Sequence, residues 1–170
     1  MINIPPEGQQ RVVMRRASAF DVMDLMAAVV NDAAADPNMT EFVRRHPMNA
    51  RQIHEFIYQT ILMEPDVKNH QVVKTPAAIL RTRRANCVGY ATFAATLAKL
   101  NGLGGHFRAV SFKKNNLKPR HIYVVTRRGI IIDPVQGQQQ DGETSVLERK
   151  DKYGRFNQEV QYCYKFDKRY

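Results

Sequence analysis

Apolar residues along this chain recur with two different periods, and the point where one gives way to the other divides it. Val22, Leu25, Met26, Val29 and Val30 return every three or four residues, behind Ser18 as a cap with Asp21 three positions on. That spacing predicts an amphipathic helix over 19–35, ended by Pro37. A short helix is expected from Thr40, and a longer one after Asn49 places Ile53, Phe56, Ile57 and Ile61 on one face before Pro65 stops it. Thr75-Pro76 is a helix start, with the threonine as cap and the proline in the first helical position, so "AAILRTRR" predicts a short helix. Asn86 opens the next, from Cys87 to Leu100, which ends in the C-cap signal Asn101-Gly102. Ala91, Ala94, Ala95 and Ala98 let neighbouring elements approach its backbone, which makes it the central, buried helix.

Beyond residue 102 the period becomes that of strands: "HFRAVSF", "HIYVVT", "GIIIDPV" and "EVQYCYKF", in the last of which Val160, Tyr162, Tyr164 and Phe166 alternate with polar neighbours. Helices first and an antiparallel sheet afterwards predict an α+β fold, with N-terminal helices and a central cysteine-bearing helix packed on the sheet. Residues 1–17 are expected as an extended N-terminal arm, residues 18–170 as a single domain, and "QGQQQDGE" as a surface loop.

A length of 170 residues is enough for one ordinary core. Two cysteines without a CxxC pair, and no apolar stretch behind "MINIPPEGQQ", argue against a secreted disulfide scaffold and a signal peptide. A reducing compartment is expected, cytoplasmic or inside a virus particle. No run approaches the roughly eighteen uninterrupted apolar residues of a membrane span. The net charge of +10 is unevenly placed, because no Asp or Glu lies between Asp66 and Asp133 while basic residues recur throughout. That interval predicts a positive field suited to an anionic or assembly partner.

Cys87 and His121 both lie within it. A helix N-terminus stabilises a thiolate over a thiol, and Arg83 and Arg84 just before Cys87 act in the same direction. A nucleophile also needs a base, and the base an orienting group. His121 and Asp133 flank a hairpin, "HIYVVTRRGIIID". If Arg127-Arg128-Gly129 form a three-residue loop, with Gly129 in the left-handed position, Thr126 faces Ile130 and Tyr123 faces Asp133. His121 and Asp133 are then diagonal neighbours on one face, roughly 7–8 Å apart at the backbone. A two-residue loop would put them on opposite faces. Asp133 also interrupts an apolar strand, and an acid in such a place usually has a partner. Each residue alone has an ordinary structural explanation: a small core thiol, a half-buried histidine, an aspartate before Pro134. Together and in this order they point to a triad.

From Thr75 to Pro134 the chain resembles the transglutaminase-like cysteine-protease superfamily. The residues that carry the resemblance are Thr75-Pro76, Cys87-Val88-Gly89-Tyr90-Ala91, the "GLGGHFRAVSF" strand, His121-Ile122-Tyr123-Val124 and Asp133-Pro134, with "EFIYQTILMEPDVKN" fitting the upstream helix. It departs from the pattern at Asn86, where an acid is common, and at Tyr123, where tryptophan is usual, and no upstream side-chain oxyanion donor is identified. The resemblance implies a papain-like half-site, with Cys87 as nucleophile, His121 as general base and acid, and Asp133 orienting the imidazole. The implied reaction is acyl transfer from a peptide or protein amide through a thioester, with no cofactor. A metal site from Cys87, His106, His121 and Cys163 lacks ligand spacing, and no sequence-specific nucleic-acid motif accompanies the charge. The competing reading is a non-catalytic component of a larger assembly, such as a virus particle, that keeps the fold and makes contacts through its basic surface.

Overall fold

The computed structural model describes residues 11–15, 18–65, 70–110, 121–134 and 161–166. The expected loop at 136–143, the ends of the "HFRAVSF" and "GIIIDPV" segments, and residues 1–10, 16 and 17 of the arm lie outside them. Helix α1 (Ala19–Ala35) begins as its sequence requires. Ser18 accepts from the Asp21 N–H and the Asp21 side chain accepts from the Ser18 N–H, a reciprocal capping box. Pro37 ends α1 and also opens α2 (Pro37–Arg45), three residues earlier than the expected start at Thr40. Asp36 serves as C-cap of the first helix and N-cap of the second, and its carboxylate accepts from the Asn38 N–H. Asn49 and Gln52 cap α3 (Ala50–Thr60) in the same reciprocal way.

The chain then enters a two-residue strand, β2 (Leu62–Met63), and after residue 69 a longer one, β3 (His70–Lys74). Helix α4 (Pro76–Thr82) starts on the Thr75 cap but stops short of the predicted end, because Arg83 takes a left-handed backbone conformation at φ 57°. Strand β4 (Arg84–Ala85) follows and pairs in parallel with β2. Helix α5 (Cys87–Leu100) begins on its Asn86 cap. Part of the expected arm is a strand, β1 (Arg11–Arg15), paired antiparallel with β3. This stretch is hydrogen-bonded to β3.

Strands β5 (His106–Val110), β6 (His121–Val125), β7 (Ile131–Ile132) and β8 (Gln161–Lys165) form an antiparallel sheet in the order β7-β6-β5-β8. Helix α5 is the hub: it lies against α1, α3, α4, β3 and β6, and every residue from Val88 to Ala98 is buried. Its alanines keep the neighbouring backbones close, while Tyr90 and Phe93 carry the larger contacts. Phe107 and Phe166, diagonal across β5 and β8, pack with ring centroids 5.2 Å apart. The class is α+β, with the helix that carries Cys87 at its centre.

Candidate active site

Cys87 is the first residue of α5, and the contacts around that turn fix its place. The Asn86 carboxamide oxygen accepts from the Gly89 N–H at 3.0 Å. Ahead of the cap, β4 is held by β2, with Leu62 N–H donating to the Arg83 carbonyl at 2.8 Å and Glu64 N–H to the Ala85 carbonyl at 2.9 Å. Gly89 has no room for a side chain, since a Cβ there would stand 2.7 Å from the Ala85 Cβ. The Tyr90 hydroxyl donates to the Ile61 carbonyl at 2.7 Å, and burial pushes the phenol's pKa up. Cys87 is left half-buried. The first N–H groups of a helix have no partner within it, and with the Asn86 cap spent on Gly89, the Cys87 N–H has none among the described residues.

His121 opens β6, opposite Val110. The hairpin beyond it has the predicted loop. Thr126 N–H donates to the Ile130 carbonyl at 2.8 Å, Gly129 N–H to the Thr126 carbonyl at 2.9 Å, and Gly129 takes φ +84°. The Thr126 hydroxyl accepts from the Ile130 N–H at 3.0 Å, closing the turn from the side. Val124 opposite Ile132 and Val125 opposite Ile131 set a register in which Tyr123 falls opposite Asp133. His121 and Asp133 therefore share a face, and His121 Nε2 lies 2.9 Å from both carboxylate oxygens.

The pair is dry, with side chains only 4% and 1% exposed. Burial by itself disfavours the imidazolium. The Asp133 carboxylate outweighs that through its charge and its hydrogen bond, Cys87 adds to it as a further hydrogen-bond partner, and the His121 pKa is raised to about 10. A thiol, an imidazole and a buried carboxylate thus stand in series, an arrangement able to take a proton from sulfur and return it to a leaving group.

The hairpin register also brings in two residues that the sequence reading did not place at the site. The Tyr123 ring lies 6.0 Å from the His121 ring, and Arg108, opposite Tyr123 on β5, sets its guanidinium 5.8 Å from that ring and donates to the Tyr123 hydroxyl at 3.4 Å. In the sequence Tyr123 stands out only as the aromatic of a motif, and Arg108 carries no signal of its own. Their meeting depends on a β5–β6 pairing that no local pattern encodes. Of the hypothetical metal set, His106 and His121 are not brought together. His106 lies opposite Val125, four residues along β6 from His121 and about 13 Å away. Among the described residues no cluster of three or more His, Cys, Asp or Glu side chains could hold a metal ion. No helix among them is long and apolar enough to cross a membrane.

No protein-family model, no curated protein and no solved structure matches this chain. What the fold and site define is an α+β domain that carries a thiol beside a buried histidine–aspartate pair.

Proposed function

We propose that this protein is a cysteine-dependent acyl-transfer enzyme acting on amide bonds, a peptidase, amidase or transglutaminase on a papain-like core. The observation that carries the reading is the buried His121–Asp133 pair at 2.9 Å with Cys87 on the same imidazole. With its proton already held on His121, the Cys87 sulfur attacks the amide carbonyl carbon. Negative charge on the carbonyl oxygen is stabilised by the Cys87 N–H, the donor that the helix start leaves available. His121 then protonates the leaving nitrogen as the C–N bond breaks, and a thioester on Cys87 remains. Water or an amine attacks the thioester and gives its proton to His121, the C–S bond breaks, and the starting pair is restored. Asp133 holds the ring in one orientation throughout and stabilises the imidazolium.

The test uses hydroxylamine, which captures thioesters as hydroxamates. Incubating the protein with a pool of blocked peptides and hydroxylamine yields peptide hydroxamates by mass spectrometry, and Cys87→Ala abolishes them. Absence of hydroxamates from the intact protein overturns the catalytic reading and favours the non-catalytic assembly component.

A further inference from the structure

The β2–β4 ribbon leads into the helix start that carries Cys87, and what that ribbon exposes is selective. β4 runs directly into the Asn86 cap, and Leu62 stands opposite Arg84 in the parallel register. Leu62 and Met63, 49% and 37% exposed, are two of the three exposed large apolar residues among those described. Arg81, Arg83 and Arg84 are exposed at the end of α4 and the start of β4. The carboxylate on the ribbon, Glu64, is held by Lys74 Nζ at 2.7 Å, and the same ammonium donates to the Arg84 carbonyl at 3.1 Å. Glu64 is thus already matched, and no ion pair of the three arginines occurs among the described residues. The outer edge of β2 adds a main chain suited to strand addition, because Leu62 and Glu64 spend their N–H groups on β4 while Met63, between them, has no main-chain partner among the described residues.

We infer that the β2–β4 ribbon binds the substrate as an extended peptide segment rich in acidic residues with interspersed apolar ones, and so delivers an amide from acidic protein sequence to Cys87. This rests on the catalytic reading above. Main-chain pairing along β2 holds the segment extended, Leu62 and Met63 contact its apolar side chains, and Arg81, Arg83 and Arg84 meet its carboxylates. The preference is electrostatic in origin and weakens as salt rises. The left-handed Arg83 turns the chain out of α4 and sets Arg84 into the ribbon, so exposed arginines stand at the end of α4 and at the start of the strand that leads to Cys87.

Binding is measured on the Cys87→Ser protein by fluorescence polarisation, with a labelled octapeptide alternating glutamate and leucine around a central glutamine, its lysine counterpart, and a single-stranded DNA oligonucleotide. The acidic peptide is expected to bind and the lysine peptide not. The double variant Arg81→Glu/Arg84→Glu, with unchanged circular dichroism and melting, weakens binding about tenfold, and Arg81→Lys/Arg84→Lys restores it. Equal binding of the two peptides overturns the inference, as does an oligonucleotide that binds more tightly and displaces the acidic peptide. Hydroxamate formation that shows no preference for acidic peptides removes this inference alone. Acidic-peptide binding by a protein that forms no hydroxamate removes both the catalytic reading and the claim that the bound segment is a substrate.

Discussion

His121 Nε2 is equidistant, at 2.9 Å, from the two carboxylate oxygens of Asp133. The carboxylate therefore faces the ring nitrogen squarely, and the imidazole cannot turn without abandoning a buried charge. One nitrogen is spent on orientation, and Cys87 is a further hydrogen-bond partner of the ring. Asp133→Asn keeps the shape but removes the charge that raises the His121 pKa. The expected result is a loss of acyl-transfer rate on the order of a hundredfold or more. The alkaline limb of the pH–rate profile should also move to lower pH, because the imidazolium loses its proton sooner. An unchanged alkaline limb would show that Asp133 does not control the base.

The same pair links stability to pH. The His121 pKa is raised in the folded state to about 10, above the value of about 6.5 of an unfolded chain. The folded state therefore holds the proton more tightly, and this contribution is fully present below about pH 6.5. It fades as pH rises towards 10. Urea unfolding should give a stability that falls across this window, and His121→Gln should flatten that part of the curve. Chemical shifts of the His121 ring in a labelled protein should report a protonated imidazole at neutral pH.

Gly105 and Gly102 both have positive φ, yet they differ in what surrounds them. A Cβ at Gly105 would stand 2.2 Å from the Val125 carbonyl oxygen, whereas at Gly102 it would meet nothing within 4 Å. Gly102→Ala incurs only left-handed strain, about 1–2 kcal/mol. Gly105→Ala adds a backbone collision at the mouth of the β5–β6 pair and should cost about 4 kcal/mol or more. Thermal melts of the two variants side by side check the ranking.

Much of this architecture is legible in local chemistry. Ser18, Asn49, Thr75 and Asn86 each occur as the cap that their sequence context announces. Gly129 decides the hairpin, since a single residue able to take φ +84° distinguishes the loop that unites His121 and Asp133 from the loop that separates them. What local chemistry cannot show is pairing between distant short segments. The β2–β4 ribbon has two residues per strand, too few for any period, and it exists because α3 and α4 both end beside the start of α5. The β1–β3 pair joins stretches far apart in the chain, and in each strand polar residues, Arg11 and Arg15 in one and His70, Gln71 and Lys74 in the other, flank a short apolar run with no alternation. At Pro37 one signal serves two purposes, a stop for one helix and a first position for the next, so a boundary read only as a stop places the second helix late.

The packing of Gly89 on Ala85 connects the fold to the nucleophile most directly. A methyl at position 89 would meet the Ala85 Cβ at 2.7 Å, and that Cβ is fixed to the backbone of β4, so neither group can swing aside. The first turn of α5 must lift away from the ribbon, taking Cys87 with it and lengthening its contact with His121. Gly89→Ala should therefore cost about 1–3 kcal/mol in stability, the usual range for overpacking a close contact. It should also slow alkylation of Cys87 relative to the parent protein at neutral pH, measured with Cys163→Ser in both. The compensating variant Gly89→Ala/Ala85→Gly moves the methyl from one side of the contact to the other. It should recover reactivity even if the added glycine in β4 leaves stability below the parent's. Should the double variant regain stability but not reactivity, the position of the helix start would not be what sets the thiol against the imidazole.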